Sequence, residues 1–138
     1  PAWLTQIGLT LPRLEVLFAT AEALGPTTWR VRFAVGNAGY LPAYVSKRAL
    51  ERKAARPCVF EIGLPEGATL RSGKPRIDGP QLEGHAAKNS LLAFLPTREI
   101  TADRALAEWT VEAPAGTVLT LQATAARAGT VRAEVTLR

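Results

Sequence analysis

An all-β antiparallel sandwich of about seven to eight strands with one short surface helix is the fold class that this 138-residue sequence predicts. Three observations lead there. Apolar and polar residues alternate along several runs of strand length. Gly, Pro, Asn and Asp punctuate the chain at short intervals. Residues 46–55 are the one segment that breaks the β pattern. The length suits one domain, read as residues 11–138, with residues 1–10 as a connecting arm whose Trp3 covers an open edge of the sandwich.

Along the chain, Leu14 to Thr20 fit helix or strand by composition. The Gly25-Pro26 turn and the alternating run after it favour a hairpin, hence a strand. In residues 28–35, Trp29, Val31, Phe33 and Val35 point one way and Arg30, Arg32 and Ala34 the other, which gives a half-buried strand with a basic outer face. Ser46 is a cap candidate for a helix of two or three turns that Pro57 stops. Residues 58–64 form a β-type run closed by Pro65-Glu66-Gly67. Shorter strands are predicted at 68–70, 81–83 and 91–95. In residues 105–113, Ala107, Trp109 and Val111 point inward and Glu108, Thr110 and Glu112 outward, with a turn at Pro114-Ala115-Gly116. The chain closes with a hairpin: Leu119, Leu121, Ala123 and Ala125 alternate with polar residues, as do Val131, Ala133, Val135 and Leu137. Between them Gly129 supplies a positive φ.

Composition excludes several classes. At 47% hydrophobic and 21% charged, with 11 Gly and 10 Pro, the chain is neither disordered nor collagen-like. One Cys excludes a disulfide framework and a Cys-cluster zinc site, and one His excludes any site that needs two. No apolar run is long enough to span a bilayer as a helix, so no membrane span is predicted. The start at Pro1-Ala2-Trp3, with no Met anywhere, reads as an excised or processed piece.

Few residues invite chemistry. His85 stands in a turn-like context with no nucleophile or positioned acid in its motif, which fits an exposed loop histidine. Cys58, beside Val59 and Phe60, reads as a buried, inert thiol. Glu108 and Glu112, four apart on one strand, would stand about 13 Å apart, beyond the spacing of glycosidase carboxylates. Lys47, Arg48, Arg52, Lys53 and Arg56 face only Glu51. They could meet an acidic partner, but interleaved stacking aromatics are missing, so no nucleic acid is expected as a partner. Val35-Gly36-Asn37-Ala38-Gly39-Tyr40-Leu41-Pro42 reads as a strand end followed by an Asn turn in which Gly39 supplies an unusual φ. Such a V-x-N-x-G turn makes the predicted sandwich immunoglobulin-like and by itself specifies no activity.

The order of motifs adds a resemblance. Leu11-Pro12-Arg13-Leu14-Glu15-Val16 is followed by Trp29-Arg30-Val31, the Asn37 turn and the basic helix. Then come Gly79-Pro80-Gln81-Leu82-Glu83-Gly84, Glu108-Trp109-Thr110-Val111, Pro114-Ala115-Gly116-Thr117 and Arg127-Ala128-Gly129-Thr130-Val131. From Leu11 onward this series resembles the β-sandwich region that follows the catalytic domain in certain bacterial zinc carboxypeptidases of the carboxypeptidase A-like family. Ala43 stands where that pattern has Thr. The resemblance implies a non-catalytic accessory domain whose partner is the peptidase domain of the same polypeptide. Zinc is implied only in that parent domain, so no cofactor is expected in this chain, and no catalytic or metal residue carries over. The candidate interface is Asn37, Gly39, Tyr40, Leu41, Pro42, Lys47, Arg48, Arg52 and Lys53. The rival reading is a free-standing immunoglobulin-like module that binds carbohydrate or protein through loops or an edge strand.

Overall fold

Alternation becomes two sheets. The computed structural model describes residues 1–44, 46–85 and 101–138. Its elements in chain order are α1 (Ala2–Thr10), β1 (Leu14–Ala23), β2 (Thr28–Asn37), α2 (Lys47–Glu51), β3 (Val59–Gly63), β4 (Thr69–Ser72), β5 (Arg76–Asp78), β6 (Arg104–Glu112), β7 (Val118–Ala125) and β8 (Gly129–Thr136). One antiparallel sheet has the order β1-β2-β6-β4 and the other β5-β3-β7-β8. This is the predicted all-β, immunoglobulin-like sandwich.

The inward rows form the core. Trp29, Val31, Phe33 and Val35 of β2, Trp109 and Val111 of β6, Phe60 and Ile62 of β3, and Leu119 and Leu121 of β7 are all buried. Across the interlayer space Phe33 meets Phe60 edge to face, with centroids 5.9 Å apart and planes at 83°. Each core indole also keeps its polar atom satisfied: Trp29 Nε1 donates to Ala113 O at 2.9 Å and Trp109 Nε1 to Lys74 O at 2.8 Å. On the outer face of the first sheet Arg32 donates to Glu108 at 2.9 Å, and Arg30 lies between Glu22 and Glu108. These exposed cross-strand pairs are worth little each.

Several details depart from the sequence reading. The arm is helical, and Trp3 is not buried over a sheet edge: it is 59% exposed, and no residue of α1 is buried. Propensity alone does not account for α1, whose nine residues include Thr5, Ile7, Gly8 and Thr10, and Pro12 forces Leu11 into an extended conformation that ends it. The basic helix is shorter than residues 46–55. Ser46 Oγ accepts from Ala49 N at 3.3 Å as predicted, but Lys53 adopts φ 53° well before Pro57. Lys53 N bonds Leu50 O and Ala54 N bonds Ala49 O, a Schellman end with lysine in the place glycine usually takes. Residues 81–83 form no strand, although Leu82 is buried. Strand β5, three residues long with Ile77 as its one apolar side chain, shows no alternation to read. The strand predicted at 91–95 lies outside the described residues. Gly129 has the expected left-handed φ, 91°.

Trp29→Ala and Trp109→Ala should each cost about 3–5 kcal/mol as core truncations. Arg48→Ala, on an exposed turn of helix, should stay within about 0.5 kcal/mol. Urea denaturation of the three variants checks both statements.

Candidate interaction surface at the β2 end of the sandwich

Strand β2 continues its inward row one residue past the hydrophobic ones, and that residue is Asn37, 2% exposed. A carboxamide in this place must find partners from whatever passes by. Asn37 Oδ1 accepts from Arg13 N at 3.0 Å and Gly39 N at 2.9 Å. Its Nδ2 donates to Leu41 O at 2.8 Å and Glu83 O at 3.2 Å. One side chain thus fastens three chain segments: the exit from α1, its own turn and the 79–85 loop.

Main-chain bonds tighten the junction. Leu41 N donates to Thr10 O at 2.9 Å, Ala38 N to Arg13 O at 2.8 Å and His85 N to Gly39 O at 3.1 Å. Gly39 is required here by space and has no left-handed φ, contrary to the sequence reading: a Cβ would lie 2.1 Å from Leu11 O. Gly84 is pressed in the same way, with a Cβ 2.2 Å from Tyr40 O. Nearby, buried Tyr44 donates its hydroxyl to Glu83 Oε1 at 2.6 Å. That bond, with burial behind it, pushes the phenol up to about 12. Burial alone pushes the Cys58 thiol up to about 11. The sequence marked Asn37 and Gly39 as a turn, but nothing in its pattern could show Glu83 and Gly84 closing over it.

The candidate interface residues therefore divide. Asn37 and Gly39 are buried and hold the turn. Tyr40 and Leu41 are exposed, with Pro42 half-buried beside them, and they adjoin exposed Leu9 and Leu11 because Leu41 is bonded to the end of α1. Lys47, Arg48, Arg52 and Lys53 are exposed on α2 and its C-terminal cap, and among the described residues none of them forms an ion pair. His85 is exposed, and among the described residues its bond is through the main chain. Among the described residues, no three His, Cys, Asp or Glu side chains gather to hold a metal ion, and no helix is long and apolar enough to cross a membrane.

A second feature lies away from this end. On the outer face of β3, β7 and β8 an open cleft of about 740 Å³ is lined by Glu61, Gly63, Thr120, Gln122, Arg132 and Glu134, with Ile62, Leu121 and Ala133 beneath.

A family profile described as a domain of unknown function, DUF8731, matches residues 13–136. The chain belongs to this family. The matched span takes in β1 to β8 and begins at Arg13, whose N–H is held by Asn37, so in this DUF8731 chain α1 precedes the matched residues. No curated protein matches. Among solved structures, the chain is similar to the GAE domain of GGA2p from Saccharomyces cerevisiae at 11% identity, over 91% of this chain and 90% of that one, with a TM-score of 0.45.

Two outcomes follow for the DUF8731 domain. Asn37→Ala removes four hydrogen bonds in a buried place and should cost about 3 kcal/mol or more, read from urea midpoints. Stability should also fall with rising alkali. Unfolded, the Tyr44 and Cys58 protons leave near 10.0 and 9.0, whereas the folded chain holds them to about 12 and about 11. Below pH 9 both states keep both protons and stability is full. Above it the unfolded chain deprotonates first, so stability drops from about pH 9 to about pH 12. Tyr44→Phe should flatten the upper part of that fall in a series of urea titrations against pH.

Proposed function

We propose that the chain is a non-catalytic interaction domain of a larger bacterial zinc metallocarboxypeptidase, docking through α1 and the Asn37 turn onto the peptidase domain of the same polypeptide. The observation that carries this reading is the state of α1: a helix with no charged residue, none of its side chains buried, and Trp3, Leu4, Ile7 and Leu9 all turned to solvent. Leu11, Tyr40 and Leu41 are further exposed apolar side chains at this end. Leaving so many large apolar side chains in water is unfavourable, and exposed apolar residues gathered on one short segment mark an interaction site. The order of motifs from Leu11 to Val131 supplies the identity of the partner. Zinc chemistry belongs to that peptidase domain. This chain contributes the docking face, and the exposed cations Lys47 and Arg48 of α2 add attraction for an acidic patch on the partner.

Reading the gene upstream of Pro1 tests the reading directly. An H-x-x-E motif with a second His farther on is the expected result. A start codon or signal peptide immediately ahead of Pro1, or an unrelated upstream domain, overturns the peptidase assignment. In the protein that carries both domains, Trp3→Ser with Ile7→Ser should lower the melting temperature of the peptidase. The same pair in the isolated sandwich should leave urea stability unchanged, because neither residue is buried there.

A further inference from the structure

We propose that the open cleft on the outer face of β3, β7 and β8 is a saccharide-binding site centred on Arg132 and Glu134. The strand register puts two polar rows side by side: Glu61, Gln122 and Arg132 in one, Gly63, Thr120 and Glu134 in the next. The first row is already oriented. Arg76 lies 3.5 Å from Glu61 Oε1, Gln122 Nε2 donates to Glu61 Oε2 at 3.1 Å, and Arg132 Nε donates to Gln122 Oε1 at 2.9 Å. Among the described residues Arg132 thus spends only its Nε on the protein and leaves both terminal amino groups for a ligand. In the second row Glu134 makes no ion pair among the described residues. Gly63 leaves a gap whose floor the Thr120 hydroxyl occupies, since a Cβ there would stand 2.2 Å from Thr120 Oγ1.

Charge decides the class of ligand. One guanidinium, that of Arg132, and two carboxylates line the cleft, and Arg76 beside it is already paired with Glu61, so a phosphate or nucleic acid meets Glu61 and Glu134, and a polyamine meets Arg132. A neutral ligand that both donates and accepts at neighbouring atoms satisfies every group. Vicinal hydroxyls do this: they accept from Arg132 and donate to Glu134, while Thr120 does either. Arg132 and Glu134, two apart on one strand, stand about 7 Å from each other, a separation that a sugar ring can bridge. Among the described residues no aromatic ring lines the cleft, so hydrogen bonds carry the affinity. The site uses nothing from α1, the Asn37 turn or α2, and it stands or falls independently of the peptidase assignment.

Amide NMR of the labelled 138-residue chain, titrated with chitotriose, cellotriose and maltotriose, tests it. At least one sugar should shift amides in 61–63, 120–122 and 132–134 with a Kd of about 1 mM or tighter. Arg132→Ala and Glu134→Gln, both exposed, should each weaken that binding about tenfold or more with unchanged melting temperature. Lys47→Ala should bind as the parent does. The proposal is overturned if none of the three sugars moves those amides at about ten times that concentration. It is equally overturned if the shifts survive both cleft variants, or if the zwitterion glycine moves the same amides while the sugars do not.

Discussion

The inward register of β2 is the constraint on which the rest of the molecule depends. It places Trp29, Val31, Phe33 and Val35 between the sheets, and the same two-residue period carries Asn37 inside with them. A slip of one residue would turn Arg30 and Arg32 inward and the aromatic row outward, so the register is strongly determined. Once it is set, the carboxamide of Asn37 has to be satisfied where water does not reach. The paths of the 9–13 segment and the 79–85 loop are the solution: each brings a main-chain N–H or C=O to the amide. The crowding that makes Gly39 and Gly84 necessary is a consequence of that convergence.

The four sheet edges are managed in two ways. Strands β4 and β5 are short, β4 carries a register shift between Leu70 and Ser72, and Pro75 and Pro80 flank β5. Those edges offer little backbone to another strand. Strands β1 and β8 are longer, and they approach one another where Leu14 N donates to Ala128 O at 2.8 Å. A bulge between Val16 and Phe18 bends β1 at this seam. The displaced Leu17 folds over Gly36, with its Cδ1 only 3.3 Å from where a Cβ would stand. An irregularity in one strand is thus matched by a missing side chain in its neighbour.

The parts legible in the sequence are those whose energy comes from one repeating pattern. Strands β6, β7 and β8 and the first half of β2 alternate because one face is core and the other water, whereas from Phe33 to Asn37 β2 is buried on both faces, Ala34 included; the hairpin glycine at 129 is demanded by its φ. Illegible parts depend on a single long-range partner. Strand β5 exists because Phe60 and its neighbours on β3 offer an edge, not because Arg76-Ile77-Asp78 prefers to be extended. Leu82 is buried without a strand because the 79–85 loop is drawn in by Asn37 and Ala43, the latter donating to Leu82 O at 2.9 Å. The early end of α2 at Lys53 has no sequence signal, since lysine rarely takes a left-handed φ.

The same distinction explains the candidate surfaces. The Asn37 turn was visible as a motif, yet its most distinctive residues proved to be the buried ones, because unusual residue types mark backbone constraint more often than contact with a partner. Exposure belongs to ordinary residues beside them: Tyr40, Leu41 and the helix that leads to Leu11. Across the sandwich, Glu61, Gln122, Arg132 and Glu134 read in sequence as the solvated half of an alternating pattern, and only the cross-strand register shows that they stand together. An apolar end and a polar face, held on one core, call for partners of different chemistry. Each face can engage without occupying the other, so one domain can hold an apolar protein surface while its polar face stays open to a hydroxylated ligand.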